Sequence, residues 1–225
     1  MVETKINGHR LFDFGAELVE YTVGPCDFDD TYTLPPSSII PVYLSSRIKL
    51  RTITVTLDFV AETAREAALA MSKLTSMLFG EVHLVLPDGF CYWSAYTKCS
   101  TPKEKAPWIW QAKYTFVGFR HGAKQTIPLT SSMTIFVDGN IETPLIVKIT
   151  PEDGTTEATF NGITVSDMTG AVTIDGVYTT VLDVDGYNKF ADTDMTKWPT
   201  LQPGEAEIVV SEGAVYEVSY YPIWL

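Results

Sequence analysis

The 225-residue chain has few cysteines and no long apolar run. Its three cysteines, Cys26, Cys91 and Cys99, are an odd number without CxxC spacing. This predicts free thiols in a reducing cytoplasm rather than a disulfide framework or a zinc site; pairing of Cys91 with Cys99 across a hairpin is the less favoured alternative. The first residues are polar, and no stretch approaches the ~18 continuous apolar residues of a membrane span. We therefore expect neither a signal peptide nor a membrane partner.

Recognisable catalytic motifs are also missing. The three histidines, His9, His83 and His121, lie far apart without zinc spacing, and no Gly-x-Ser-x-Gly nucleophile turn occurs. None of the glycines forms a phosphate-cradling motif. A carboxylate pair for glycoside hydrolysis can always be imagined among 28 acidic residues, so their number indicates nothing. We predict a protein that is not an enzyme, with no catalytic residues and no cofactor.

One acidic stretch deserves comparison with a calcium loop. It contains Asp183, Asp185, Asp192 and Asp194, whose oxygens are the ligands that Ca²⁺ prefers. Counted as an EF-hand loop from Asp183, however, the sixth position is Asn188 rather than the required glycine, and the twelfth is aspartate rather than glutamate. The pattern favours a solvated acidic loop, and we predict no metal site.

Positive charge is nearly absent from the second half of the chain. Up to Pro128, thirteen Lys and Arg balance thirteen Asp and Glu; from Leu129 onward, three face fifteen, which gives the whole net charge of −12. This step predicts two domains with different neighbours, 1–128 and 129–225. The acidic domain would repel phosphates, so specific binding of nucleic acid is not expected.

The first half has the pattern of an α+β domain, a sheet with one helix laid on it. Thr63 and Glu66 have capping-box spacing, an apolar stripe follows, and Gly80 suits a left-handed cap, so we predict a helix over 63–79. Alternation over 53–59 predicts a half-buried strand running into that helix. A second alternating run predicts a core face made of Trp108, Trp110, Ala112, Tyr114 and Phe116.

The acidic half has the pattern of an antiparallel β-sandwich. Short alternating runs are separated by dipeptides that tolerate the positive φ of tight turns: Asp138-Gly139, Asp153-Gly154, Asn161-Gly162, Asp175-Gly176 and Asp185-Gly186. A pair of strands, 206–211 and 214–221, closes the domain. Exposed aromatics in such a sandwich could stack on a sugar, and Tyr187 and Trp198 are the candidate contacts. A lectin-like module that binds host cell-wall sugars is therefore the alternative function.

The succession of several motifs resembles the distal tail (Dit) proteins of long-tailed bacteriophages. Near the start these are 6–18 (INGHRLFDFGAEL) and 21–25 (YTVGP), and in the acidic half 143–151 (TPLIVKITP), 185–190 (DGYNKF) and 198–205 (WPTLQPGE). The resemblance spans most of the chain. It implies a mainly-β fold with an N-terminal ring-forming domain and a C-terminal galectin-like sandwich.

The resemblance also implies a function and partners. The chain would form a homo-hexameric ring that joins the tail tube protein to the tail-associated hub protein, while the sandwich contacts receptor-binding or baseplate proteins. DNA would pass through the bore without specific binding. The protein would be made in the cytoplasm of the bacterial host and end at the virion tail tip.

A proline-containing segment, 32–40, is our candidate for the ring contact. Prolines stiffen a chain and donate no ladder hydrogen bonds, which suits a projecting arm as well as an ordinary surface loop. Together with the resemblance, this predicts that the oligomer interface contains Tyr32, Leu34, Pro35, Pro36, Ile39 and Ile40.

Overall fold

The computed structural model describes residues 2–34, 36 and 39–225. Contacts within the chain divide it into two compact units, 1–120 and 121–225. The boundary expected after Pro128 falls inside a strand, Gln125–Leu129, that pairs with Ala214–Tyr220 of the second unit. The second unit therefore begins before the charge step, because charge patterning reports surface composition and not strand pairing.

The first unit is a sheet carrying one α-helix and one separate hairpin. In chain order its elements are β1 Lys5–Ile6, β2 His9–Arg10, a 3₁₀ turn Leu11–Phe14, β3 Ala16–Val23, β4 Phe28–Thr33, β5 Val42–Ile48, β6 Arg51–Val60, α1 Ala64–Ser76, β7 Glu81–Val85, β8 Cys91–Cys99, β9 Lys103–Ala106 and β10 Ile109–His121. The strand order in the sheet is β2-β1-β7-β8-β10-β6-β3, and β9 pairs with β10. Among the residues that the structure describes, strands β4 and β5 pair only with each other.

The helix begins as predicted and ends earlier. Thr63 Oγ1 accepts from the Glu66 amide at 3.2 Å, and the Glu66 carboxylate accepts from the Thr63 amide at 3.2 Å, so the capping box is confirmed. The last helical residue is Ser76, and Met77 and Leu78 continue as a tighter turn that bonds to carbonyls three residues back. Gly80 has the expected positive φ of 80°, but it lies in the connection to β7.

The helix and the sheet share one apolar core. Met71, Leu74 and Leu78 lie against the inward face of β6, where Ile53, Val55, Leu57 and Phe59 are buried as the alternation predicts. Ala112, Tyr114 and Phe116 of β10 are also buried, as expected. The prediction for Trp108 is wrong: it precedes β10, has φ 70° and is 63% exposed, because it occupies the turn between β9 and β10.

The second unit is an antiparallel β-sandwich. Its strands are β11 Gln125–Leu129, β12 Met133–Val137, β13 Thr143–Pro151, β14 Ala158–Phe160, β15 Ile163–Val165, β16 Val172–Asp175, β17 Thr180–Asp183, β18 Thr200–Leu201, β19 Gly204–Ile208, β20 Ala214–Tyr220 and β21 Ile223–Trp224, with a 3₁₀ turn at Phe190–Asp192. One sheet has the order β11-β20-β13-β16-β17, and β18 adds to β13. The pairs β12–β19 and β14–β15 contribute Ile135, Ile208 and Phe160 to the core beneath that sheet.

In this unit one predicted hairpin turn is confirmed, whereas the strand pairing and the backbone conformation of one glycine differ from expectation. The predicted closing strands form β19 and β20, but β19 pairs with β12 and β20 pairs with β13 and β11. Asn161 and Gly162 have φ 45° and 79° and form the expected two-residue hairpin turn between β14 and β15. Gly176, in contrast, has no positive φ; a Cβ there would lie 2.8 Å from the Leu145 carbonyl oxygen, so glycine is required for close approach.

The mainly-β architecture with a single helix element in the described residues therefore confirms the predicted fold class.

Candidate functional site

The hairpin β4–β5, which we call the arm, is the most unusual surface of the first unit. Every residue of both strands is exposed. Their antiparallel register runs from Phe28 opposite Ile48 to Thr33 opposite Val42, and Leu44 is the extra residue of a bulge. An isolated two-stranded ribbon is marginally stable in water, because neither face buries apolar surface.

The two faces of the arm differ in chemistry. Directly opposite residues share a face, so one face, the apolar face, carries Phe28 with Ile48 and Tyr32 with Tyr43. Asp30 opposite Ser46 lies between these two pairs on the same face. The tyrosine rings lie 6.2 Å apart at 57°. The opposite face is polar near the base, where Asp29 pairs with Arg47 and Thr31 with Ser45. The arm therefore exposes two apolar side-chain pairs on one face, and exposed apolar surface of this kind is typical of an interaction site.

The base of the arm is fixed to the sheet. Arg51, which is 8% exposed, donates from Nη1 to the Gly24 carbonyl oxygen at 2.9 Å. The Gly24 amide donates to the Thr52 carbonyl at 2.8 Å, and the Lys49 amide donates to the Asp27 carbonyl at 2.8 Å. These contacts fix both ends of the arm, the one that follows β3 and the one that precedes β6, so the arm projects from a defined point.

The predicted interface residues fall on this arm. Tyr32, Leu34, Ile39 and Ile40 are 61%, 59%, 96% and 71% exposed, and Pro36 is exposed in the turn. Pro35 lies outside the described residues. Polar residues interrupt the apolar alternation of both strands, so the sequence analysis did not identify the other exposed apolar residues of the arm. These are Phe28, Val42, Tyr43, Leu44 and Ile48.

The two candidate sugar contacts lie in different surroundings. Tyr187 is 70% exposed in the turn after β17. Trp198 is half-buried, packs on the sandwich core and lies 5.9 Å from the Phe190 ring. A cleft of ≈ 310 Å³ is lined by Trp198 together with Ile163, Met195, Asn161 and Asp194, and Tyr187 is not among its lining residues. The structure thus does not bring the two aromatics into one site.

Three of the four aspartates, Asp183, Asp192 and Asp194, hold the local structure together through their carboxylates. Asp183 accepts from the amides of Asp185 and Tyr187, at 3.0 and 2.8 Å. Asp192 binds Lys189 Nζ at 2.7 Å, and Asp194 accepts from the Thr164 amide at 2.7 Å. In the part of the chain that the structure describes, no three metal-ligating side chains are grouped. Turn formation and sheet docking explain these carboxylates.

The cysteines are all free thiols. Cys91 and Cys99 are the first and last residues of β8, about 26 Å apart at the usual rise per residue, so the alternative of a hairpin disulfide is wrong. Burial raises the pKa of both thiols, which disfavours the reactive thiolate. Among residues 2–34, 36 and 39–225, no helix is long and apolar enough to cross a membrane.

Comparison with known proteins adds information only at the level of structure. No protein-family model matches the chain, and no curated protein matches it in sequence. Three solved structures resemble it over nearly their full length. SPP1 Dit, described as a paradigm of the hub adsorption apparatus in phages that infect Gram-positive bacteria, has a TM-score of 0.77 at 13% identity, with 99% of both chains covered.

The other two are structures of the phage p2 baseplate in its activated conformation. The structure with Sr has a TM-score of 0.58 at 11% identity and covers 96% of this chain and 97% of that chain. The structure with Ca has a TM-score of 0.57 at 11% identity and covers 97% and 98%. The fold of this chain is therefore that of phage tail-tip proteins. Within that class it has the fold of SPP1 Dit, so the expected likeness to Dit proteins is confirmed for the fold.

Proposed function

We propose that this protein is a structural component of a phage tail tip, a ring that joins the tail tube protein to the tail-associated hub protein. The observation that carries the proposal is the likeness to SPP1 Dit over 99% of both chains, which leaves neither unit unmatched. Both units are accordingly assigned: the first forms the ring, and the second, a galectin-like sandwich, contacts receptor-binding or baseplate proteins. The ring is a homo-hexamer whose bore passes DNA without specific binding.

The exposed arm supports self-assembly. Taking about 200 Å² for each aromatic side chain, the 52%, 61% and 68% exposures of Phe28, Tyr32 and Tyr43 leave roughly 360 Å² of aromatic surface in water. That is nearly half of the ~800 Å² that each partner contributes to a standard interface. The aliphatic residues of the arm add the remainder: Leu34, Ile39, Ile40, Val42, Leu44 and Ile48. The arm alone is large enough to form one side of a stable contact.

The distribution of charge is consistent with this arrangement. The first unit is nearly neutral, with twelve Lys and Arg against thirteen Asp and Glu, and can associate with copies of itself without accumulating repulsion. The segment from Leu129 carries a charge of −12, since three cations face fifteen anions. Six such segments repel one another and are better accommodated on the outside of a ring. We place the assembled protein at the virion tail tip, after synthesis in the host cytoplasm.

Native mass spectrometry of the purified chain, with negative-stain imaging, tests the proposal. We expect six-fold rings, alone or stacked. A chain that stays monomeric at its highest soluble concentration, and also in the presence of the tail tube and hub proteins of the same phage, would contradict it.

The cleft at Trp198 favours one second candidate, a carbohydrate-binding module. A half-buried indole beside Asn161 and Asp194 combines a stacking surface with polar groups, the usual composition of a sugar site. Titration with solubilised cell-wall saccharides tests this candidate, using Trp198→Ala and, as control, Phe136→Ala. Loss of binding in the Trp198 variant alone supports this candidate. If the unaltered protein gives no heat of binding with any of the saccharides, the candidate is wrong.

A further inference from the structure

The turn between β9 and β10 holds a tryptophan in an unfavourable backbone conformation. Pro107 and Trp108 are its two central residues, and Trp108 has φ 70°. Proline fixes φ near −65°, so the turn is of type II, in which glycine is the preferred residue at the second central position. A bulky side chain there strains the backbone, and such strain persists where the side chain serves another purpose.

The Trp108 side chain is exposed beside other apolar surface. Its backbone oxygen accepts from the Ala61 amide at 2.8 Å, which ties the turn to the end of β6. Val60, the last residue of β6, is 66% exposed, and Trp108 is 63% exposed. Together with Ala61, Glu62 and Glu66 they line an open cleft of ≈ 460 Å³, the Trp108 cleft. Exposed tryptophan against aliphatic surface is the composition of an interface hot spot.

The arm and the Trp108 cleft lie at opposite ends of one strand. β6 begins at Arg51, which fixes the base of the arm, and ends at Val60 in the cleft. Ten strand residues span about 30 Å. A contact between such opposite surfaces on two copies is heterologous, and repetition of a heterologous contact gives a closed ring when the rotation between copies closes and an open filament when it does not.

We propose that the Trp108 cleft of one copy is the docking site for the arm of the next copy. This inference rests on the proposed function and adds the receiving surface of the ring contact. The tip of the arm carries Leu34, Ile39 and Ile40 at 59% to 96% exposure. The cleft offers an indole and Val60 to that tip, and its acidic rim discourages an anionic ligand.

Substitution of Trp108 tests the inference without depending on a folding defect. Trp108→Gly removes the indole and relieves the strained φ, whereas Trp108→Ala removes the indole and keeps the strain. We expect both variants to raise the concentration at half-assembly about tenfold or more, as for hot-spot truncation. The alanine variant should keep about the thermal stability of the unaltered chain, and the glycine variant should equal or exceed it. Phe79→Ala, at an 84% exposed aromatic outside the cleft, is the control.

Photo-crosslinking identifies the contact directly. A photoreactive phenylalanine at position 39, in a mixture of isotopically heavy and light chains, should yield heavy–light crosslinks to peptides containing 60–62 or 107–109. Rings that form normally with Trp108→Gly, or crosslinks that map elsewhere, overturn this inference and leave the proposed function intact. A chain that assembles neither alone nor with its tail partners overturns both.

Discussion

The paired tyrosines of the arm give the sharpest test of its role. Tyr32 and Tyr43 face each other on the apolar face, 61% and 68% exposed. At about 200 Å² per side chain they present roughly 260 Å², whose complete burial is worth at most about 6 kcal/mol. If assembly realises half of that, replacing both by serine weakens each contact by about 3 kcal/mol, or about 100-fold.

The same double substitution should hardly affect the isolated chain. The two rings touch little besides each other, and a cross-strand aromatic pair contributes about 0.5 kcal/mol. We therefore expect Tyr32→Ser/Tyr43→Ser to unfold at nearly the temperature of the unaltered chain and to remain monomeric where that chain forms rings. Sedimentation velocity over a concentration series measures the second effect, and calorimetry the first.

A matched control uses residues of similar exposure on the second unit. Phe136 and Tyr178 are 70% and 56% exposed, and Phe136→Ser/Tyr178→Ser should leave ring formation unchanged. Equal loss of rings in both double variants would mean that general solubility, and not the arm, governs assembly. Unchanged assembly of the arm variant would refute the reasoning outright.

Three further predictions concern the folded chain. Thr63→Ala removes the capping box of α1 and should cost about 1 kcal/mol in urea unfolding, whereas Ser72→Ala, exposed in mid-helix, should be neutral or slightly stabilising. Gly118→Ala would drive a Cβ into the Trp93 carbonyl oxygen and to 2.7 Å from Ser94 Cβ, and should cost about 3 kcal/mol or more; Gly170→Ala, whose nearest neighbour is 3.8 Å away, should not. Burial, and then the Asp88 hydrogen bond, raise the pKa of Tyr92 to about 12 from its ordinary value of 10.0, so its contribution to stability is full below pH 10.0 and is lost as pH rises through about 12. Urea unfolding as a function of pH should show this alkaline loss, less steep in Tyr92→Phe; equal steepness in both proteins would show that other groups dominate.

Where local chemistry decides the structure, the sequence was sufficient to predict it. The capping box needs only Thr63 and Glu66 at the right spacing, and the hairpin turn needs only Asn161 and Gly162. The alternation along β6 correctly identifies its core-facing side chains, because a strand has a strict period of two. It does not predict that Thr56, on the other face, is also buried.

Trp108 shows where this reasoning fails. Its spacing from Trp110 continues the alternation of β10, but Pro107 starts a turn that rotates it out of the strand. The prediction that β19 and β20 pair with each other is wrong for a different reason. The partner of a strand in a sandwich depends on which sheet the strand joins, and no local sequence pattern indicates that.

The candidate site was only half visible in the sequence. Proline and exposed apolar residues marked the tip of the arm, but the strands β4 and β5 contain Asp29, Asp30 and Arg47 among their apolar residues. A strand that packs on the core of its own chain shows a regular alternation of apolar and polar residues. In a strand that packs on another molecule, the positions of the apolar residues depend on the surface of that molecule.

The arm also has a consequence for how such proteins diverge. Within the described part of the chain, β4 and β5 each have a strand partner on one side only, so each presents an outer row of backbone N–H and C=O groups. A neighbouring strand can bind those groups with little regard to the side chains beside them. Recognition through the main chain tolerates extensive substitution of side chains. Substitutions can therefore replace the side chains of the arm one after another while its backbone remains able to pair with a neighbouring strand.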